Sequence, residues 1–98
     1  MKRRLVFRPE AQSDIAAARD WYDEQSRGLG ADFIGEVEAT LAQILDNPLQ
    51  YQRIRGGVRR AVFHRFPYGL IYVPSDEEIL VVACVHGRQS PRRWIERT

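Results

Sequence analysis

Hydrophobic positions change their spacing three times along this chain. Leu5, Val6 and Phe7 sit between arginines in residues 3–8, a composition that favours a short, half-buried strand. From Pro9 onward the spacing becomes helical. Pro9 suits a first helical turn, Glu10 lies near the positive helix end, and Ala11, Ile15, Ala18 and Tyr22 recur on one face with Trp21 beside them. Asp14, Arg19 and Asp23 take the other faces, which predicts an amphipathic helix. The run Ser26-Arg27-Gly28-Leu29-Gly30 breaks it as a cap and turn. A second helix is predicted over 31–46, striped by Phe33, Val37, Leu41 and Ile44, widened by Ile34 and Leu45, and stopped by Asn47-Pro48. Two helices joined by a short glycine turn make an antiparallel hairpin.

The second half reads as strands over 58–66, 68–73 and 78–86, with Gly56-Gly57 ahead of the first. The turn Pro74-Ser75-Asp76-Glu77 joins the last two as a hairpin. In the last run Ile79, Val81, Ala83 and Val85 alternate with Leu80, Val82 and Cys84, so both parities are apolar. Such a strand is central and covered on both faces. The helical hairpin can cover one face, and something else must cover the other. The predicted order is β-α-α-β-β-β. This is an α+β fold, with an N-terminal strand and a helical hairpin packed on an antiparallel meander sheet. A short tail over 87–98 follows, with a helical turn after Pro91.

Ninety-eight residues, 44% apolar and 29% charged, describe a single globular domain, 1–98. Cys84 is the sole cysteine, so no internal disulfide is available, and a reducing compartment suits it. The N-terminal apolar run is too short for a signal peptide, and no stretch is long enough to span a membrane, so the sequence predicts a cytoplasmic protein.

The net charge is only +2, but it is unevenly spread. Residues 9–46 hold nine acids against Arg19 and Arg27, whereas residues 47–98 hold nine arginines against four acids. One side of the molecule can therefore steer an anionic partner. Every basic residue except Lys2 is arginine, whose planar fork fits carboxylate and phosphate. Arg59, Arg60 and Arg65, joined by His86, Arg88, Arg92, Arg93 and Trp94, form the candidate contact surface on or beside the predicted sheet. No recognition-helix motif is present and the helices are acidic, which argues against sequence-specific DNA binding. His64, His86 and Cys84 lack metal-ligand spacing, and no phosphate-binding glycine loop occurs, so neither metal nor cofactor is expected. Cys84, amid Val82, Ala83 and Val85, reads as a buried inert thiol, and Trp21 and Tyr22 as core.

Several stretches, in order, carry a resemblance: FRPEAQSDI and WY in the first helix, GLGADFIGEVE and NP bounding the second, GVRR, RFPYGLIY, and ILVVACVHGRQSPRRW. The most specific part is RFPY before an apolar strand followed by H-x-R-x-x-P-x-x-W. With these, the chain resembles the ParE/RelE toxin superfamily, and its ParE branch more closely. The resemblance implies a toxin neutralised by a cognate, ParD-like antitoxin in a hetero-oligomer, with DNA gyrase as the target of ParE-like members. RelE-like members cut messenger RNA on the ribosome, and that enzyme is the alternative, as is a non-toxic binding module. RNA cleavage requires a general acid or base beside positioned cations. His64 and His86 are the candidates, with Arg59, Arg60, Arg65 and Arg88 as phosphate clamps. The tail carries Trp94 where a titratable group would serve, and indole exchanges no proton at neutral pH. The sequence therefore favours binding over catalysis.

Overall fold

The computed structural model describes residues 3–88 and 91–97, with the side chains of Arg92 and Arg93 outside that description. Its elements run β1 (Arg4–Phe7), α1 (Pro9–Gln25), α2 (Leu29–Asp46), β2 (Gln52–Arg55), β3 (Val58–Val62), β4 (Tyr68–Pro74), β5 (Glu78–His86) and α3 (Arg92–Ile95). The α+β architecture, the helical hairpin and the meander follow the expectation. One strand, β2, is added ahead of the three predicted in the second half. The single sheet has the order β1-β5-β4-β3-β2, antiparallel from β2 to β5, with β1 lying parallel to β5.

The hairpin forms where Asp23 supplies what the N-terminus of α2 lacks. Gly28 takes φ +92°, a left-handed conformation that suits glycine, and offers no capping side chain. The Asp23 carboxylate instead accepts the N–H groups of Gly28 (2.9 Å) and Gly30 (3.2 Å). This local capping starts α2 at Leu29, two residues before the predicted bound. At Gly30 a Cβ would lie 2.7 Å from the Arg19 carbonyl oxygen, so the two helices approach too closely for any other residue.

The helices cover one face of the sheet. Ala11, Ala18, Phe33, Val37 and Ile44 pack with Leu70, Tyr72, Ile79, Val81 and Cys84. The Tyr72 hydroxyl, fully buried, donates to the Pro48 carbonyl at 2.6 Å, tying β4 to the end of α2. Strand β3 ends at Val62, earlier than predicted. Proline at 67 has no N–H for the ladder, and the Phe63 N–H closes the turn onto the Tyr68 carbonyl at 2.9 Å. Phe63 and Phe66 turn inward and stay in the core.

The opposite face carries a second cluster: Val58, Ile71, Val82, Ala83 and Val85 under Trp94, with Ile54, Val73, Leu80 and Ile95 at its margins. The missing cover is thus the tail, which lays α3 across the sheet. A register shift beside Ile71 and Tyr72 inserts Val82 as an extra residue in β5. Alternation breaks there. Cys84 joins Ile79 and Val81 on the helix face, while Ala83 and Val85 join Leu80 and Val82 on the tail face. The strict alternation read from sequence is corrected by that bulge.

Candidate functional site

The tail and the β2–β3 ribbon enclose a groove of about 460 Å³ on the face away from the helices, lined by Ile54, Arg55, Arg60, Val85, Pro91, Trp94 and Ile95. Each wall has a local cause. Gly56, with φ +53°, and Gly57 turn the chain tightly between β2 and β3. The register shift between Arg53 and Arg55 then presents Ile54 and Arg55 together to the groove. Arg60, half-buried, lies opposite Gln52 on the same face. Trp94, only 7% exposed, forms floor as much as wall. The result is a trough of mixed character, in which five apolar side chains stand with two guanidinium groups.

The predicted contact residues do not all meet there. Arg60 and Trp94 do. Arg59 points to the helix side, where its Nη1 donates to the carbonyls of Tyr51 (2.7 Å) and Leu49 (3.2 Å) and holds the loop after α2. Arg65 lies in the β3–β4 turn, 3.6 Å from the Asp32 carboxylate, with its guanidinium 5.3 Å from the Phe66 ring centre. His86 ends β5 on the helix face, edge-on to Tyr68 at 5.2 Å, and its Nδ1 accepts the Arg88 amide at 3.0 Å. Arg88 itself is exposed. The side chains of Arg92 and Arg93 lie outside the described residues. His64 is exposed in the turn after β3, its N–H donating to Glu36 at 3.0 Å. Tyr22 packs in the aromatic core against Phe33 and Phe66, but Trp21 beside it is 54% exposed, so only half of that expectation holds. Trp21, Tyr22, Pro67, Tyr68 and His86 frame a separate apolar hollow.

Sequence reasoning missed Ile54 and Arg55, and it missed what anchors the tail. Past the end of β1 the edge of β5 is open, and the bulge leaves backbone groups to satisfy. The Cys84 N–H donates to Asp14 Oδ2 at 3.1 Å, and Arg97 Nη1 donates to that same oxygen at 2.7 Å and to the Val82 carbonyl at 3.3 Å. The Asp14 and Arg97 side chains are only 10% and 16% exposed. One ion pair therefore joins α1, the bulge in β5 and the segment carrying Trp94. Burial, with the Asp14 carboxylate adding to it, pushes the Cys84 thiol up to about 12, so it stays protonated at neutral pH. Among the described residues, no group of three His, Cys, Asp or Glu side chains is placed to hold a metal ion.

Residues 5–91 match the family model described as the ParE toxin of type II toxin-antitoxin system, parDE. Among solved structures, a chain titled "Chromosomal ParDE TA system from P. aeruginosa" superposes with a TM-score of 0.76. It is 16% identical, and the match covers 87% of this chain and 96% of that one. At that identity the likeness speaks for the fold. No curated protein sequence matches the chain. Trp94 and Arg97 lie beyond the stretch that the family model matches.

Proposed function

This chain belongs to the family of ParE toxins of type II toxin–antitoxin systems, and on that premise we propose that, when free, it blocks replication by binding DNA gyrase, and that a cognate antitoxin holds it inactive. The observation that carries binding over bond-breaking is the lining of the groove. Arg55 and Arg60 supply fixed positive charge, and the remaining residues, Ile54, Val85, Pro91, Trp94 and Ile95, supply apolar surface. A phosphodiester cleavage site needs a proton-transfer group beside its cations, whereas this lining holds cations and grip. His86 sits on the other face of the sheet, against Tyr68. No helix is long and apolar enough to cross a membrane among the described residues.

Purified protein, incubated with gyrase, ATP and relaxed plasmid, is expected to suppress supercoiling in proportion to its concentration. Undiminished supercoiling at toxin excess refutes the gyrase assignment. Mapping transcripts after induction addresses the ribonuclease directly: cuts within ribosome-bound codons would replace binding with catalysis.

A further inference from the structure

On the helix side of the sheet, the second hollow measures about 340 Å³ and is lined by Trp21, Tyr22, Pro67, Tyr68 and His86. Its four aromatic rings stand steeply to one another: Trp21 to Tyr22 at 84°, Tyr22 to Tyr68 at 67° and Tyr68 to His86 at 79°. Tyr22 rests on the buried rings of Phe33 and Phe66, so core packing holds this box in shape. Trp21 is the bulkiest apolar side chain left exposed among the described residues. The Tyr51 and Tyr72 hydroxyls have hydrogen-bond partners, but those of Tyr22 and Tyr68 have none among the described residues, and neither is sealed from solvent. The surroundings are acidic. Glu24 stands one helical turn beyond Trp21 on the same side, exposed, with no cation of the described residues within ion-pair distance. His86 adds no positive charge to the hollow, since its Nδ1 accepts the Arg88 amide and can do so only while that nitrogen carries no proton.

We propose that this hollow receives an arginine side chain presented by a protein partner. The planar guanidinium stacks on Trp21, the ring type that attracts a cation most strongly. Its fork of N–H groups donates to the hydroxyls of Tyr22 and Tyr68, and Glu24 balances its charge. The apolar stem lies along the rest of the lining. Lysine brings the charge without the flat face or the fork, and an apolar side chain leaves both hydroxyls and Glu24 unanswered. Trp21 and Pro67 are exposed at the rim, where they meet the backbone that flanks the arginine. That favours a peptide over the free amino acid, whose carboxylate Glu24 repels. The site lies on the face of the sheet away from the tail groove, and it stands whether or not gyrase is the target.

The test uses the full chain, labelled with nitrogen-15, and a capped peptide of one arginine between glycines. The two indole N–H signals report separately on Trp21 and on Trp94, which is buried on the other face. The expected result is a saturable shift of the Trp21 signal, with the Trp94 signal unmoved. Citrulline, which keeps the shape of arginine without its charge, should bind about tenfold more weakly or worse, and lysine should fall between. Trp21→Ala should weaken arginine binding about tenfold and Trp21→Phe by less. Glu24→Gln, and Tyr22→Phe with Tyr68→Phe, should each weaken it about threefold. Leu49→Ala, at an exposed apolar residue elsewhere, should leave it intact. These changes keep the buried rings, and circular dichroism confirms that each variant folds. Equal binding of the citrulline peptide, or a shift of Trp94 in place of Trp21, overturns the proposal. So does a proline-rich peptide without arginine that binds as tightly, or free arginine that does so. Sedimentation that shows the chain pairing with itself, with the pairing lost in Trp21→Ala, gives the site to a second copy and overturns a foreign partner. Unsuppressed supercoiling by the same preparation sinks the gyrase assignment alone.

Discussion

Removing the carboxylate of Asp14 should cost this protein more than any surface charge can. Its oxygen accepts both the Arg97 guanidinium and the amide left unpaired by the β5 bulge. Asp14→Ala removes the acceptor of a nearly buried backbone N–H, a loss of about 1–3 kcal/mol, and leaves Arg97 without its ion. Stranding one partner of a fully buried pair costs about 3–5 kcal/mol. Arg97, however, stands at the end of the chain and can swing into water, so the second loss is smaller and brings the tail with it. A total near 3 kcal/mol follows from these ranges, equivalent to a fall in Tm of about 12–24 °C for a domain of this size.

Urea unfolding followed by far-UV circular dichroism measures the loss, and a double-mutant cycle isolates the pair. Asp14→Leu, Arg97→Met and the two together should give a coupling energy of at least about 1 kcal/mol, because apolar replacement of both partners strands neither. A coupling energy near zero would show that the tail is held by Trp94 alone, and would refute the argument. If it holds, Asp14→Ala should also speed tryptic cleavage at Arg97 and weaken whatever the groove binds, since Trp94 and Ile95 line that groove.

Other consequences are simpler to check. Tyr72→Phe removes the donor that the buried Pro48 carbonyl accepts, and should lower the free energy of unfolding by about 1–2 kcal/mol with an unchanged denaturant slope. Gly30→Ala pushes a methyl to within 2.7 Å of the Arg19 carbonyl oxygen; neither backbone can yield cheaply, so destabilisation of about 1–3 kcal/mol is expected by the same assay, and a neutral or stabilised variant would contradict the close approach of α1 and α2. Burial raises the Cys84 thiol from 9.0 to about 12 and the Tyr72 hydroxyl from 10.0 to about 12. Between those limits the unfolded chain has lost protons that the folded one retains, so stability is full below about pH 9 and declines as pH rises toward 12. A Tm independent of pH from 8 to 11 would contradict that, as would rapid alkylation of Cys84 by iodoacetamide in the native protein at pH 8.

The helices were legible because their signal is local: Ala11 to Tyr22 and Phe33 to Ile44 repeat within a single turn of chain, and packing merely confirms what periodicity states. The missed strand shows the opposite case. Three of the four residues in β2 are Gln52, Arg53 and Arg55, which carry no apolar alternation, and only Gly56-Gly57 marked a turn there. Its pairing with β3 makes it a strand, a relation that nothing within its own four residues announces. Parity in β5 failed for a related reason. A bulge is a relation between two strands, and a run apolar on both parities contains nothing to fix where alternation slips.

The contact residues divide along the same line. Charge clustering drew attention to the second half, but clustering cannot distinguish Arg60, which faces the groove, from Arg59 one residue earlier, which faces the loop after α2. Strand alternation forces that split: of two adjacent arginines on one strand, only one can share the face of Trp94. Asp14 seemed a solvent-side acid of an amphipathic helix because its partner stands 83 residues away. A tail that must cover an apolar sheet face also needs an anchor where β1 runs out, and an acid on α1 paired with an arginine near the C-terminus meets that need. The distant pair therefore helps to hold the groove's tail wall in place, so its stability and whatever it grips are thermodynamically linked: a ligand of the groove should raise the Tm of both the wild type and Asp14→Ala, and by more in the wild type, where its site is already built.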